Sequence, residues 1–145
     1  DSIMTIMTIA SIIEAETHID REMDTIASLY YNRIKKKIPL QSDPTVLYYM
    51  SPADLRKFKS SRPGSSEFGK IWRKYKNMKN PYNTYKNMIP PSPINSPGLN
   101  AIKAAIYPAK TDYLFMFSPS NSNYHIFTKT NEEHTKAIKS SREAQ

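Results

Sequence analysis

An isoleucine-rich segment at the start of the chain constrains the fold most strongly. Its apolar residues recur at helical spacing, and two further isoleucines widen the stripe. These residues are Ile3, Ile6, Met7, Ile9, Ala10, Ile12 and Ile13. A helix that is apolar over so much of its surface must be buried. The pattern therefore predicts a central helix over residues 2–17, and 145 residues suffice for a single domain built around it.

The rest of the chain predicts further helices and one hairpin. Asp20 is the expected N-cap of a second helix, with Glu22 in its first turn, and Ser42-Asp43-Pro44 is typical of a third helix start. The other predicted elements are two helical pieces within residues 53–80 separated at Arg62–Ser66, a helix starting at Ser96-Pro97, strands at 112–118 and 124–128, and a last helix capped by Asn131. The fold class is α+β: a mostly helical single domain with a small antiparallel hairpin.

Composition excludes several classes of site. The chain has no cysteine, which excludes a disulfide scaffold, a thiolate zinc site and a cysteine nucleophile. Only three histidines are present, so we expect no multi-histidine metal site. With only three glycines, a glycine-rich phosphate cradle is not expected either. The prediction is a protein that uses neither a metal nor a cofactor.

The charge balance favours an anionic partner. The 21 Lys and Arg residues outnumber the 13 Asp and Glu residues, for a net charge of +8, and residues 56–86 hold ten basic residues against the single acid Glu67. Nucleic acid, a membrane surface and an acidic polymer are the alternatives. A basic nucleic-acid-binding domain with ten tyrosines is one of them, but no motif that reads RNA or DNA is present.

Two carboxylates, Glu14 and Glu16, lie at the end of the first predicted helix. Glu16 continues the apolar stripe at spacings of three and four residues, so its side chain should leave the buried face. Apolar surroundings raise the pKa of a carboxyl, as a general acid at neutral pH requires. Glu14 points about 200° away around the helix, which favours one catalytic acid and one neighbour with a structural role.

Other polar residues are candidates for ligand binding. The segment 81–97 holds five of the eleven prolines, and its Tyr82-Asn83-Thr84-Tyr85 motif combines aromatic and amide groups that suit a sugar. Gln41 precedes the third helix start at the mouth of a turn. His125, in a predicted strand, is more often structural than catalytic in such a place, and His134 is expected on the surface.

The ordered motifs together resemble the YceG-like family of endolytic murein transglycosylases. They are Ala10–Thr17, Ile26–Ser28, Tyr31–Arg33, Pro39–Val46, Pro81–Tyr85, Ile89–Pro91, Pro93–Leu99, Pro108–Lys110, Asp112–Leu114 and His125–Phe127. The chain departs from the family at Tyr49, at Ser92 and in the turn 121–124, where glycine is usual. The segment 56–79 matches no motif of the family.

The resemblance implies a reaction. These enzymes cut the β-1,4 bond between N-acetylmuramic acid and N-acetylglucosamine without water and leave 1,6-anhydro ends. The family's catalytic Glu corresponds to Glu16, which acts as acid and then base, with Glu14 as the runner-up. The expected substrate-binding residues are Gln41, Ser42, Asp43, Tyr82, Asn83, Thr84, Tyr85 and His125. The basic stretch 56–86 would then meet the carboxylates of peptide stems.

The resemblance also implies a setting. Residues 1–145 are expected to be the catalytic domain, with the family's membrane anchor and LysM-like module outside this sequence. The expected location is the outer face of the bacterial cytoplasmic membrane, in cell wall biogenesis and control of glycan strand length. Peptidoglycan strands and cell-wall synthesis enzymes are the expected partners, and nucleic acid is not. The alternative is a peptidoglycan-binding module without turnover.

Overall fold

The computed structural model describes residues 2–144 and shows a mostly helical α+β domain, as predicted. Its elements are α1 (Ile3–Glu16), α2 (Asp20–Lys35), α3 (Asp43–Tyr48), α4 (Pro52–Ser60), α5 (Ser66–Lys76), α6 (Leu99–Ile106), β1 (Phe115–Phe117), β2 (Ile126–Thr128) and α7 (Asn131–Glu143). The two strands pair antiparallel, with Met116 opposite Phe127. Within residues 2–144, no helix is both long and apolar enough to cross a lipid bilayer.

The main core is built around α1, which confirms the prediction from its isoleucines. Ile9, Ile12 and Ile13 are completely buried, and α1 packs against both α2 and α6. Ser2 caps the helix by accepting a hydrogen bond from the Thr5 amide. At the other end the backbone of Thr17 turns extended, so Glu16 is the last helical residue and its side chain stands at the edge of the core.

Three predicted helix starts need correction. Residue 19 occupies the N-cap position of α2, and the carboxylate of Asp20 instead accepts from the Asn100 amide. The cap of α7 is Thr130, whose hydroxyl accepts from the Glu133 amide, and Asn131 is already helical. Helix α6 begins at Leu99 rather than at Ser96-Pro97. Helix α7 ends at Glu143, and Gln145 lies outside the described residues.

Both strands are shorter than predicted, and the first begins late because side chains of α2 bind the backbone of the chain before β1. The Asn32 side chain donates to the carbonyl oxygens of Thr111 and Tyr113, and Arg33 Nε donates to that of Leu114 at 2.6 Å. These three carbonyl oxygens thus accept hydrogen bonds from side chains of α2. His125, predicted to lie within the second strand, falls immediately before β2.

A second apolar cluster lies beneath the basic stretch. Val46 of α3 and Ile71 and Tyr75 of α5 are buried together, with Met50 between them. Two helices, α4 and α5, do form here, as predicted, and the chain between them breaks at residues 61–65, one residue earlier than the predicted break at 62–66. This helical pair is therefore held by its own small core.

Candidate active site

A cleft of about 540 Å³ opens where α1 ends, between α2, the start of α3 and the β-hairpin. Its lining residues are Glu16, Leu29, Tyr30, Arg33, Leu40, Gln41, Asp43, Tyr85, Phe115, Met116, Phe117, Ser118, His125, Asn131 and His134. Acidic, basic, aromatic and amide groups thus share one concave surface. Another cavity of about 660 Å³ lies on a different face of α2, where Asp112 is the one lining carboxyl.

Glu16 lies in the cleft with its two oxygens in different surroundings. Oε2 accepts hydrogen bonds from the Tyr30 hydroxyl at 3.0 Å and from the Ser42 hydroxyl at 3.1 Å. Oε1 lies 3.9 Å from Nε2 of His125. The side chain is 19% exposed, so it remains accessible from the cleft while most of it is buried.

Burial raises the pKa of Glu16 above its usual value. The hydrogen bonds from Tyr30 and Ser42 oppose this, the charge of Asp43 adds to it, and the charge of His125 opposes it. Desolvation is the largest of these effects, so the net pKa shift is upward. A carboxyl in this state keeps its proton closer to neutral pH and can protonate a leaving group.

Glu14 lies outside the cleft and binds a different part of the fold. Its Oε1 accepts a hydrogen bond from the Gly98 amide at 2.6 Å, at the start of α6, and it does not line the cleft. The carboxyls that line the cleft within residues 2–144 are Glu16 and Asp43. Asp43 accepts a hydrogen bond from the Tyr85 hydroxyl.

Ser42 stands at the N-cap position of α3, but its side chain makes no capping hydrogen bond there. The hydroxyl donates to Glu16 instead, while α3 begins at Asp43 with Pro44 in its first turn, as predicted. Thr84 fixes Ser42 from behind, since its hydroxyl accepts from the Ser42 amide at 2.8 Å. Ser42 therefore connects the first turn of α3 to the carboxyl of Glu16.

Two predicted substrate-binding residues, Asn83 and Thr84, are completely buried and cannot contact a substrate in this structure. The Asn83 amide nitrogen donates to the carbonyls of Lys76 and Met78, and its oxygen accepts from the Tyr85 amide. In a loop without secondary structure, polar side chains supply the hydrogen bonds that backbone N–H and C=O groups need. We correct their assignment from ligand binding to loop structure.

The remaining residues of the predicted set separate into two places. Tyr82 contacts the Tyr48 ring and bonds the Ser92 hydroxyl, away from the cleft lining. Tyr85 and Gln41 do line the cleft. Gln41 is exposed, and its backbone adopts the left-handed conformation with φ 52°.

His125 lines the cleft, and Glu22 holds it in place. Its Nδ1 lies 3.0 Å from Oε2 of Glu22, and its backbone amide donates to Oε1 of the same carboxylate at 2.7 Å. The imidazole is only 8% exposed. The sequence predicts only that Glu22 lies in the first turn of its helix, because the 103 residues that separate it from His125 hide this contact.

Sequence reasoning also missed Tyr30, Arg33 and His134 as cleft residues. A buried tyrosine hydroxyl needs a hydrogen-bond partner, and for Tyr30 that was the available signal. Burial and the neighbouring Glu16 raise the pKa of Tyr30 well above its usual value, so its hydroxyl stays a donor. The surface prediction for His134 is wrong, because its ring stacks on Phe115 in the cleft wall.

Among residues 2–144, no three side chains of His, Asp or Glu come together as a group able to hold a metal ion. The chemistry that the arrangement supports is proton transfer by one buried carboxyl. Tyr30, Ser42 and His125 surround that carboxyl, and the open side faces the cleft.

Comparison with known proteins identifies a family for this chain. The model of the YceG-like family matches residues 1–140. An endolytic murein transglycosylase of Bacillus subtilis (strain 168) is 42% identical over 137 residues, which cover 94% of this chain and 34% of that protein. An endolytic murein transglycosylase of Streptococcus pneumoniae serotype 2 (strain D39) is 29% identical, over 92% of this chain and 23% of its own length.

A solved structure shares the fold. The 2.6 Å crystal structure of a YceG-like protein from Listeria monocytogenes superposes with a TM-score of 0.72 at 38% identity, over 94% of this chain and 40% of that one. The chain thus spans about a third of the Bacillus relative and about a quarter of the Streptococcus relative. A family match over almost the whole chain, together with this shared fold, shows that the chain belongs to the YceG-like family.

Proposed function

We propose that this chain is the catalytic part of an endolytic murein transglycosylase, with Glu16 as its single acid and base. The observation that carries the proposal is the buried Glu16 carboxyl at the floor of the cleft, with its raised pKa. The names of the Bacillus and Streptococcus relatives support the reaction class. The substrate is the glycan strand of peptidoglycan.

The reaction proceeds in two proton transfers. Glu16 first donates its proton to the glycosidic oxygen, and the bond from C1 of the muramic residue to that oxygen breaks with its electron pair on the oxygen. An oxocarbenium-like sugar remains. Its own 6-hydroxyl then attacks C1, and the Glu16 carboxylate takes the hydroxyl proton. The carboxyl is restored, no water is consumed, and the product is the 1,6-anhydro sugar.

The hydrogen bonds of Glu16 support both steps. Two donors fix Oε2 as an acceptor, so the transferable proton belongs on Oε1. The same donors stabilise the carboxylate that exists between the two transfers. A hydrolase would also need a second group to activate water or attack C1. Asp43 is the cleft carboxyl available for that role, and the products decide between the two reactions.

The polar cleft residues would hold the sugars. Gln41, Asp43 and Tyr85 line the cleft beside Glu16, and their amide, carboxylate and hydroxyl groups match the N-acetyl and hydroxyl groups of the strand. His125 also lines the cleft, although its ring nitrogens face Glu22 and Glu16. Ser42 bonds Glu16 and contributes through that carboxyl.

We place this activity on the outer face of the bacterial cytoplasmic membrane, where nascent glycan strands lie. The partners proposed are peptidoglycan strands and, for the longer protein, cell-wall synthesis enzymes. Cleavage within nascent strands would set glycan strand length. An anchor and a LysM-like module outside this sequence remain part of this proposal.

The test is digestion of uncrosslinked peptidoglycan strands, with the products weighed by mass spectrometry. The proposal predicts fragments whose muramic ends are lighter by one water than hydrolytic ends. Water-added ends would make the protein a hydrolase, with Asp43 as the leading second carboxyl. Binding to strands without any cleavage would contradict the proposal and favour a binding module.

A further inference from the structure

Glu22 is a buried carboxylate that the reaction above does not use. It lies in the first turn of α2, and both of its oxygens bind one residue, His125. Thr17 contributes one further hydroxyl, 3.3 Å from Oε2. Because this buried carboxylate binds both the backbone and the ring of His125, the histidine side chain has little freedom to rotate.

The ring that Glu22 holds faces the reactive oxygen of Glu16. Because Nδ1 lies against Glu22 Oε2, the other ring nitrogen, Nε2, is directed at Glu16 Oε1 at 3.9 Å. That oxygen is the one left free by Tyr30 and Ser42, and so the one that carries the transferable proton. Three side chains from α1, α2 and the segment before β2 thus form a line, Glu22, His125 and Glu16.

We propose that Glu22 is a positioning residue that acts through His125 on the proton-carrying oxygen of Glu16. For the effect of Glu22 on turnover, this inference rests on the proposed function. For the effect of Glu22 on Glu16, it rests on geometry alone. The Glu22 carboxylate accepts a hydrogen bond from Nδ1–H of His125 and so fixes the ring plane. His125 then presents Nε2 to Oε1 in each protonation state of Glu16, and neither residue exchanges a proton with the substrate.

The expected consequence is electrostatic. A charged His125 ring lowers the pKa of Glu16, against the effect of burial, so it stabilises the carboxylate formed after the first proton transfer. The other titratable groups that line the cleft with Glu16 are Tyr30 and Arg33 from α2, Asp43 from α3, Tyr85 from the proline-rich segment 81–97, and His134 from α7. Losing the held imidazole removes one stabilising charge and leaves these groups in place.

The experiment compares Glu22→Gln, His125→Gln and the double variant with wild type. Asp20→Asn is the matched control, because Asp20 lies in the same first turn of α2 and binds Asn100 outside the cleft. Two quantities are measured for each protein: the initial rate of strand cleavage, and the titration of the Glu16 carboxyl followed by 13C NMR. Thermal unfolding is recorded alongside.

Glu22→Gln is expected to slow cleavage by about 10- to 100-fold, the loss that follows removal of a carboxylate that orients a metal-binding histidine. The double variant should be no slower than His125→Gln, since Glu22 acts only through that ring. The Glu16 titration should move to higher pH in both single variants and stay in place in Asp20→Asn. The proposal would be overturned if the rate losses of the two single variants multiplied in the double variant. It would also be overturned if the Glu16 titration stayed at its wild-type pH in the single variants.

The NMR titration separates this inference from the proposed function. If wild type does not cleave strands, the proposed function fails, while a Glu16 titration that moves in Glu22→Gln still supports the positioning role. If Glu22→Gln does not fold, Glu22→Asp replaces it, because the shorter side chain keeps the charge and withdraws from Nδ1. The same shift of Glu16 is expected, and its absence would contradict the inference.

Discussion

Tyr30 and Tyr31 are neighbours on α2, yet their hydroxyls have different partners. Tyr30 donates to Glu16 Oε2, whereas Tyr31 donates to the carbonyl of Ala105 on α6. A hydrogen bond to a charged group contributes about 1.5–3 kcal/mol. We predict that Tyr30→Phe slows strand cleavage by about 10- to 100-fold, since roughly 1.4 kcal/mol corresponds to a tenfold change in rate.

The pH profile of Tyr30→Phe should also change. The hydrogen bond from Tyr30 lowers the pKa of Glu16, so removing it raises that pKa and moves the loss of acid activity to higher pH. Tyr31→Phe is the control, expected to keep the wild-type rate and profile. Equal effects of the two substitutions would show that the Tyr30 hydroxyl has no special role at Glu16.

Glu16 should also lower the stability of the fold at high pH. Its pKa is raised in the folded state, so the protonated form is favoured there. This contribution to stability is complete below the unfolded pKa and is lost as the pH rises through the folded pKa. A glutamine side chain in the same place carries no charge at any pH.

We therefore predict that Glu16→Gln raises the unfolding temperature at pH 8 and leaves it near wild type at pH 3. Paired thermal denaturation curves at the two pH values measure this. A Glu16→Gln variant that is less stable than wild type at pH 8 would show that the ionised carboxyl of Glu16 does not destabilise the fold.

At the scale of elements, the start of α3 depends on the proline-rich loop. The hydroxyl of Thr84 accepts from the Ser42 amide and lies 2.8 Å from the Thr45 hydroxyl. We predict that Thr84→Val destabilises the protein by about 1–3 kcal/mol, because buried polar partners lose their hydrogen bonds. Thr135→Val, on the exposed surface of α7, should stay within about 0.5 kcal/mol in the same urea titration. Equal stability of the two variants would mean that the loop does not hold α3.

The helical pair α4–α5 carries much of the positive charge and meets the cleft at one point. Lys76 Nζ lies 4.8 Å from the centre of the Tyr85 ring, and Tyr85 lines the cleft. We predict that changing Lys74, Lys76 and Lys79 to Gln weakens binding to polymeric strands whose peptide stems carry free carboxylates.

The matched control changes Lys35, Lys36 and Lys37, at the end of α2, to Gln. The difference between the two triple variants should shrink as salt rises, because exposed charges are screened. Co-sedimentation with purified peptidoglycan at two salt concentrations measures it. Equal binding of the two variants at low salt would remove any role for this surface.

The sequence was most informative where local pattern and packing agree. The apolar stripe of α1 predicted its burial and the position of Glu16 at its end. Helix caps were less predictable, since Asp20 had a competing partner in Asn100, 80 residues away. The polar residues Asn83 and Thr84 look alike in sequence whether they bind a ligand or a backbone. Glu22 and His125 could not be paired without the fold.

At the scale of the whole molecule, the cleft lies against two separately packed regions. The core of α1, α2 and α6 carries Glu16, Tyr30 and Glu22. The smaller cluster of α3 and α5 packs beneath Tyr85. The proposed substrate-binding groups from one region and the proposed acid, Glu16, from the other therefore meet across the cleft.

The most direct test of the account compares Glu16→Gln with Glu14→Gln on one preparation of peptidoglycan strands. The two residues share a helix, but Glu14 binds the Gly98 amide outside the cleft. We expect Glu16→Gln to lose about 10²- to 10⁴-fold of the anhydro-forming rate, the usual contribution of a general acid. Glu14→Gln should retain that chemistry in whatever fraction stays folded. Loss of turnover in a folded Glu14→Gln, with Glu16→Gln still active, would contradict it.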